Sequence, residues 1–254
     1  MPRVLTTVAV SALTAGAASA QVTDPLITIS ASSALGSGSV SFSSGDLGAI
    51  VQPNGGIVFL LLNGPLAIVD QNNNNVIGQV TQLSVVNNAD NTDTIESDAL
   101  QAIGFAVFAG DADTTFNLTG SFINTGSVNN AELRATGGVT VTDNNANGAT
   151  LTGGGAGGSY FNASYNGGTT FADLIVGPLN AAPAGSNSSS QDFPAAPGVF
   201  QSIANPLTDI QSQFNFTLTA GDSASGTSGY FSVPSPASAT LLALAGGAAL
   251  RRRR

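Results

Sequence analysis

Short apolar runs separated by polar punctuation recur along most of this chain. Residues 26–29, 39–42, 57–62 and 76–86 are rich in Val, Ile, Leu, Phe and Thr and are bounded by Gly, Asn, Asp or Ser, the signature of short β-strands. Residues 105–108, 115–122, 139–142, 214–219 and 229–233 continue the series. Alternation is clearest at Phe116, Leu118 and Phe122, and again at Phe214, Phe216 and Leu218. Period two with one apolar face describes a sheet covered on one side. So little of the pattern is helical that the covering layer must be a second sheet. The expected fold is all-β, a single β-sandwich or jelly-roll-like domain.

At most one or two short helices interrupt this pattern. Asp93 can cap a segment opening at Thr94, Glu96 stands three residues on, and Ile95, Ala99, Ala102 and Ile103 share a helical face that Gly104 would end. A second helical turn is expected over residues 171–175. Residues 136–168 hold Gly153-Gly154-Gly155, Gly157-Gly158 and Gly167-Gly168 and should be turn-rich or mobile, while 183–206 reads as an extended loop. No fixed-period repeat is present, which disfavours a solenoid or propeller.

Charge divides the chain into three parts. Residues 21–232 carry 15 acidic residues against Arg134 alone, a net charge of −14, and the other five arginines lie near the ends. Nucleic-acid binding, which needs clustered Lys and Arg on phosphate, is excluded for such a body. The chain has no Lys, His or Cys. A salt-bridge network, imidazole or thiolate catalysis, disulfide staples and conventional zinc sites are therefore ruled out, leaving carboxylate and hydroxyl chemistry. About 200 residues suffice to bury a core without staples.

The two ends read as addresses. Met1-Pro2-Arg3, a mildly apolar run from Val4 to Ala17 and the small-x-small site Ala18-Ser19-Ala20 before Gln21 match a signal peptide removed by signal peptidase, forming a leader helix over 1–20. At the other end, Val233-Pro234-Ser235-Pro236 precedes an uncharged run over 237–250 and then Arg251, Arg252, Arg253 and Arg254. As a short hydrophobic helix, those 14 residues span roughly 21 Å, less than a hydrocarbon core of about 30 Å, so the hold on a membrane is weak and transient. Four arginines stay on the cytoplasmic side. Pro234 and Pro236 favour an extended, accessible backbone.

This ordered combination resembles the PEP-CTERM sorting domain of exported bacterial proteins, with Pro-Ser-Pro standing where the family usually has Pro-Glu-Pro. The resemblance covers residues 233–254. It implies recognition of Pro234, Ser235 and Pro236 by a membrane protease-transpeptidase of the exosortase class. It also implies delivery of the 21–232 domain to the cell surface or extracellular matrix.

Candidate chemistry within the body is sparse. Asp143, Asn145 and Asn147 before Gly148 place oxygens as in the first half of a calcium loop, but the twelfth position, where a Glu is needed, is Gly154. Asp70-Gln71-Asn72-Asn73-Asn74 repeats the spacing without the glycine. Asn and Asp are also the preferred turn residues, which is the reading favoured for both. The pairs Asp111/Asp113 and Asp90/Asp93 are candidate glycosidase carboxylates, read first as solvated loops. Tyr160, Tyr165 and Tyr230 are candidate sugar-stacking rings, read first as core or rim. The first expectation is a non-catalytic structural or adhesive role among extracellular polysaccharide. A carbohydrate-binding module, with or without calcium, is the alternative, and a carboxylate-dependent glycoside hydrolase comes third.

Overall fold

The computed structural model describes residues 21–22, 24–52, 57–88 and 99–234. In chain order its strands are β1 (Gln21–Val22), β2 (Ile27–Ser33), β3 (Gly36–Phe42), β4 (Gly48–Val51), β5 (Ile57–Leu60) and β6 (Leu66–Val69). Then come β7 (Val76–Asn88), β8 (Ala99–Ala109), β9 (Thr114–Gly120), β10 (Ile123–Val128), β11 (Ala131–Thr142), β12 (Ala149–Gly153) and β13 (Ser159–Tyr165). The last are β14 (Thr169–Val176), β15 (Leu179–Ala181), β16 (Ser186–Phe193), β17 (Gln201–Ser202), β18 (Leu207–Leu218) and β19 (Ser223–Pro234). Among the described residues the only helical element is a 3-10 turn, Ala156–Gly158.

These strands form two antiparallel sheets facing each other. Sheet A runs β1-β10-β18-β9-β2-β3, with β12 and β13 also paired to β18, β15 to β12 and β14 to β13. Sheet B runs β16-β11-β19-β8-β7-β5-β4, with β17 on β11 and β6 on β7. Period two holds on both. In β18 the inward set Ile210, Ser212, Phe214, Phe216 and Leu218 is buried, and in β8 it is Ala99, Gln101, Ile103, Phe105, Val107 and Ala109. The expected sandwich is the observed architecture.

Aromatic rings lock the layers together. Phe105 of sheet B meets Phe214 edge-on at 4.9 Å and stacks with Phe216 at 5.6 Å, and Phe161 lies 4.9 Å from Phe214. The Phe105 ring has room because its paired neighbour is Gly226, where a Cβ would come within 2.6 Å of it. A second contact joins the sheets where Phe171 meets Phe193 at 5.2 Å and Tyr230 at 5.7 Å.

One buried amide repairs a gap in sheet A. The neighbour of β18 changes from β10 to β9 near Ser121, leaving backbone groups of Ser212 and Ser121 without ladder partners. Gln101, fully buried and reaching across from sheet B, accepts from Ser212 N–H at 2.5 Å and donates to Ser121 C=O at 2.7 Å. Buried backbone groups must be paired, and here a side chain of the opposite layer pairs them.

Four expectations are corrected. The capped helix is absent over its second half, since Ala99–Ala109 is a central strand between β7 and β19; residues 93–98 lie outside the described ones. Its outward positions Leu100, Ala102 and Ala106 are also apolar, so the strand has a filled pattern that mimics a helical face. Residues 171–175 lie in β14 rather than in a helical turn. The supposed loop over 183–206 holds β16 and β17, and the glycine-rich stretch 136–168 contains most of β11 and all of β12 and β13. Arg134 does find a partner, Asp192, at 3.1 Å. Signal and tail helices fall outside the described residues.

Candidate functional site

Because side chains alternate, each sheet has an outward set that contributes nothing to the core. On sheet A that set is almost wholly amide and hydroxyl. Register places Ser41, Thr28, Thr119, Gln213, Asn162 and Asp173 in one row across six strands. A second row holds Ser39, Ser30, Asn117 and Asn215, and a third Ser37, Ser32, Thr115, Thr217 and Thr152. Asp173 is the lone charge among them.

Neighbouring side chains hold one another in place. Asn117 Oδ1 accepts from Gln213 Nε2 and from Thr119 Oγ1, both at 2.9 Å, which leaves the Asn117 NH2 pointing outward as a donor. Asn162 Nδ2 donates to Asp173 Oδ1 at 2.8 Å, and Ser159 Oγ reaches the same oxygen at 3.4 Å. Thr115 and Thr217 hydroxyls share a 2.8 Å bond, and those of Thr28 and Ser41 one of 2.9 Å. Gly154 sits where a Cβ would collide with Asn215 Oδ1, so the backbone crowds that amide into place.

A groove of about 640 Å³ lies over these rows, bordered by Ser30, Ser37, Gln71, Asn72, Asn117 and Asn215. At Asn215 it meets a smaller hollow of about 150 Å³ lined by Asn162, Asp173, Gln213 and Ser159. Together they form a polar track across the sheet. Sheet B carries a larger outer groove of about 770 Å³, walled by Leu60, Leu61 and Leu62 and floored by Ser84, Thr227 and other small side chains. Its floor lacks planar amides apart from Gln82 and holds no carboxylate.

The residues singled out by sequence lie elsewhere. Asp143 is buried, and its carboxylate accepts from the N–H groups of Ala184 (2.6 Å), Gly148 (3.1 Å) and Asn145 (3.2 Å). Burial alone would raise its pKa, but these donors outweigh it and hold the group below the ordinary carboxylate range. Asn145 spends its oxygen on Asn147 N–H and its NH2 on Ala220 C=O. Asp70 is a similar turn anchor, kept below its usual pKa by the N–H groups of Ser37 and Asn72. Among the described residues no three acidic groups gather as a metal cage.

Asp111 and Asp113 sit on the turn between β8 and β9, where Asp113 accepts from Ala220 N–H at 3.0 Å; Asp90 and Asp93 lie outside the described residues. Tyr160 and Tyr230 are core residues whose phenol pKa burial pushes up, and Tyr160 donates to Leu151 C=O at 2.6 Å. Tyr165 is half-buried against the core. Gln21 pairs with Asn124, and Val233 and Pro234 complete β19 opposite Glu132 and Ala131. Ala18, Ala20, Ser235, Pro236 and Arg251 to Arg254 lie outside the described residues.

Sequence reading passed over Asn117, Asn162, Asp173, Gln213 and Asn215. A signal was present: Asn117 alternates with Phe116 and Leu118, and Asn215 with Phe214 and Phe216, so both amides were bound to face outward.

No protein-family model matches the chain, and neither does any curated protein. Among solved structures, the adhesin domain of Epf from Streptococcus pyogenes aligns over 69% of this chain at 9% identity with a TM-score of 0.26, and this chain covers 54% of that one, about half its length. The CBM22-1 xylan-binding domain from Paenibacillus barcinonensis aligns over 56% of this chain and 80% of its own at 10% identity, with a TM-score of 0.22. A structure of infectious bursal disease virus, Gt strain, covers 84% and 72% at 11% identity, with a TM-score of 0.25. Likeness this slight carries no argument about fold or ligand.

Proposed function

We propose that this chain is an exported, surface-sorted adhesive protein of the extracellular polysaccharide matrix, whose sandwich holds neutral glycan along the outer face of sheet A. The observation behind this reading is the row Gln213, Asn162 and Asp173 beside Asn117 and Asn215, on paired strands and beneath two hollows that meet at Asn215. Planar amides offer donor and acceptor side by side, as a sugar diol does, and a carboxylate accepts from two hydroxyls. Their mutual hydrogen bonds order them before a ligand arrives, which lowers the entropy cost of binding. A body of net charge −14 repels polyanions, so the favoured ligand is uncharged. Asp173 is the single carboxylate of the track, whereas glycoside hydrolysis uses two, so the role is binding rather than cleavage. Without an aromatic platform each site is weak, and adhesion relies on many copies along one polymer.

Export and sorting complete the proposal: signal peptidase cleaves after Ala20, and an exosortase-type enzyme processes the tail at Pro234, Ser235 and Pro236. Binding is tested by titrating the protein with neutral polysaccharides, with and without chelator. Saturable binding that falls at least tenfold in Asp173→Asn or Asn215→Ala is expected. Equal binding by both variants would overturn the site. Intact-mass analysis from the native host tests sorting: a cytoplasmic product retaining Arg251 to Arg254 would overturn that part alone.

A further inference from the structure

Strand β16 has a free edge without the usual protection. It pairs with β11 over eight residues, from Ala135 opposite Phe193 to Thr142 opposite Ser186, with no bulge, and nothing among the described residues pairs with its other side. Natural edges are blunted by Lys, Pro, bulges or very short strands. Ser186–Phe193, Ser-Asn-Ser-Ser-Ser-Gln-Asp-Phe, has none of these. Its one charge, Asp192, pairs with Arg134 of the neighbouring strand β11 and keeps 39% of its side chain exposed.

The parity of the free groups follows from the ladder. Asp143 N–H donates to Gly185 C=O at 3.0 Å, which makes the odd residues of β16 those that bond to β11. Ser186, Ser188, Ser190 and Asp192 therefore turn their backbone groups away from the sheet; Ser188 N–H is met locally by Asn187 Oδ1 at 2.9 Å, a contact that edge pairing would displace. The strand is also held rigid: Gln191 Oε1 accepts from Ile175 N–H at 2.7 Å, and Asn187 Nδ2 donates to Asn180 C=O at 2.8 Å, both on sheet A.

We propose that this edge binds a second copy of the chain, two β16 strands pairing antiparallel about a twofold axis at Ser189 to make one continuous sheet. The occupant follows from self-complementarity. In that register Ser190 faces Ser188 and Asp192 faces Ser186, so no like charges meet, whereas parallel pairing would set Asp192 against Asp192. The outward hydroxyl rows Ser188, Thr140, Ser225 and Ser190, Gly138, Thr227 then run on across the junction. Two bodies of net charge −14 repel at long range, so salt strengthens the pairing.

Sedimentation of the full chain tests this over a range of concentrations up to about 1 mM, in low and high salt. The dimer fraction is expected to rise with concentration and with salt, and amide exchange of residues 186–193 to slow in parallel. Ser190→Pro removes an outward N–H without touching the β11 ladder, and Ser190→Lys adds a repelling charge. Either should weaken dimerisation at least tenfold with the melting temperature kept, while Thr227→Lys, on a central strand, should leave it unchanged. A monomer at every concentration and salt overturns the proposal. So does a dimer indifferent to both Ser190 variants, which would place the contact elsewhere.

Discussion

The two outer faces of the sandwich obey the same alternation yet present opposite chemistry. Sheet A turns amides, hydroxyls and the carboxylates Asp173 and Asp209 outward, in rows that bond to each other. Sheet B turns out short hydroxyls and glycine over much of β16, β11 and β19, together with Glu132, the Arg134–Asp192 pair and Phe231. On β8, β7, β5 and β4 it turns out Leu100, Ala102, Val86, Val58 and Ile50. Identical backbone geometry thus supports a hydrogen-bonding surface on one side and a more apolar one on the other. What separates them is reach and directionality: an amide fixes a donor and an acceptor in one plane, whereas a serine on a flat sheet offers a single short rotor.

Substitutions at three points test this contrast. Gln101→Ala strikes the scaffold both faces share. It leaves Ser212 N–H and Ser121 C=O buried and unpaired, and urea denaturation should show a loss of about 2–4 kcal/mol. Asn162→Ala, on the networked face, should cost about 1–2 kcal/mol of glycan affinity by calorimetry, roughly a tenfold change or more, through the lost orientation of Asp173. Ser225→Ala, on the plain face, should leave glycan affinity unchanged and stability within about 0.5 kcal/mol. If the two faces exchanged these outcomes, sheet B would be the binding surface.

Acid offers a further test that falls on neither face. Asp70 and Asp143 titrate lower in the folded chain than in the unfolded one, so their contribution is complete above the unfolded carboxylate pKa of about 3.9. It is lost as pH falls through their depressed folded values. Thermal melts should be flat in this respect near neutrality and decline below about pH 4. Asp143→Asn should shallow that decline. The smallest expected effect is that of chelator on melting temperature, none, because the Asp143 oxygens already face N–H donors.

How legible all this was depended on where the apolar residues fell. β18 and β9 were plain because Phe214, Phe216 and Leu218, and Phe116 and Leu118, alternate with polar neighbours. β8 misled because Gln101 stands at an inward position and Leu100 and Ala102 at outward ones, which erases period two and leaves a helix-like spacing. β16 was invisible: its inward Asn187, Ser189 and Gln191 are polar, and the strand exists because β11 offers an eight-residue edge to pair with. The amide track was half legible, since alternation told which residues face outward but not which strands lie side by side.

The order of residues alone dictates strands with one buried face, an acidic body without imidazole or thiol chemistry, and a closing run of four arginines. Those properties are local: they depend on composition and on spacings of a few positions. Only the tertiary structure decided that Asn162 and Asp173 meet Gln213 and Asn117, or that Gln101 closes a gap in the opposite sheet. Pairing between strands more than a hundred residues apart, as in β8 and β19, is set by which faces bury together and by which backbone groups remain to be satisfied, quantities that no short window of sequence contains.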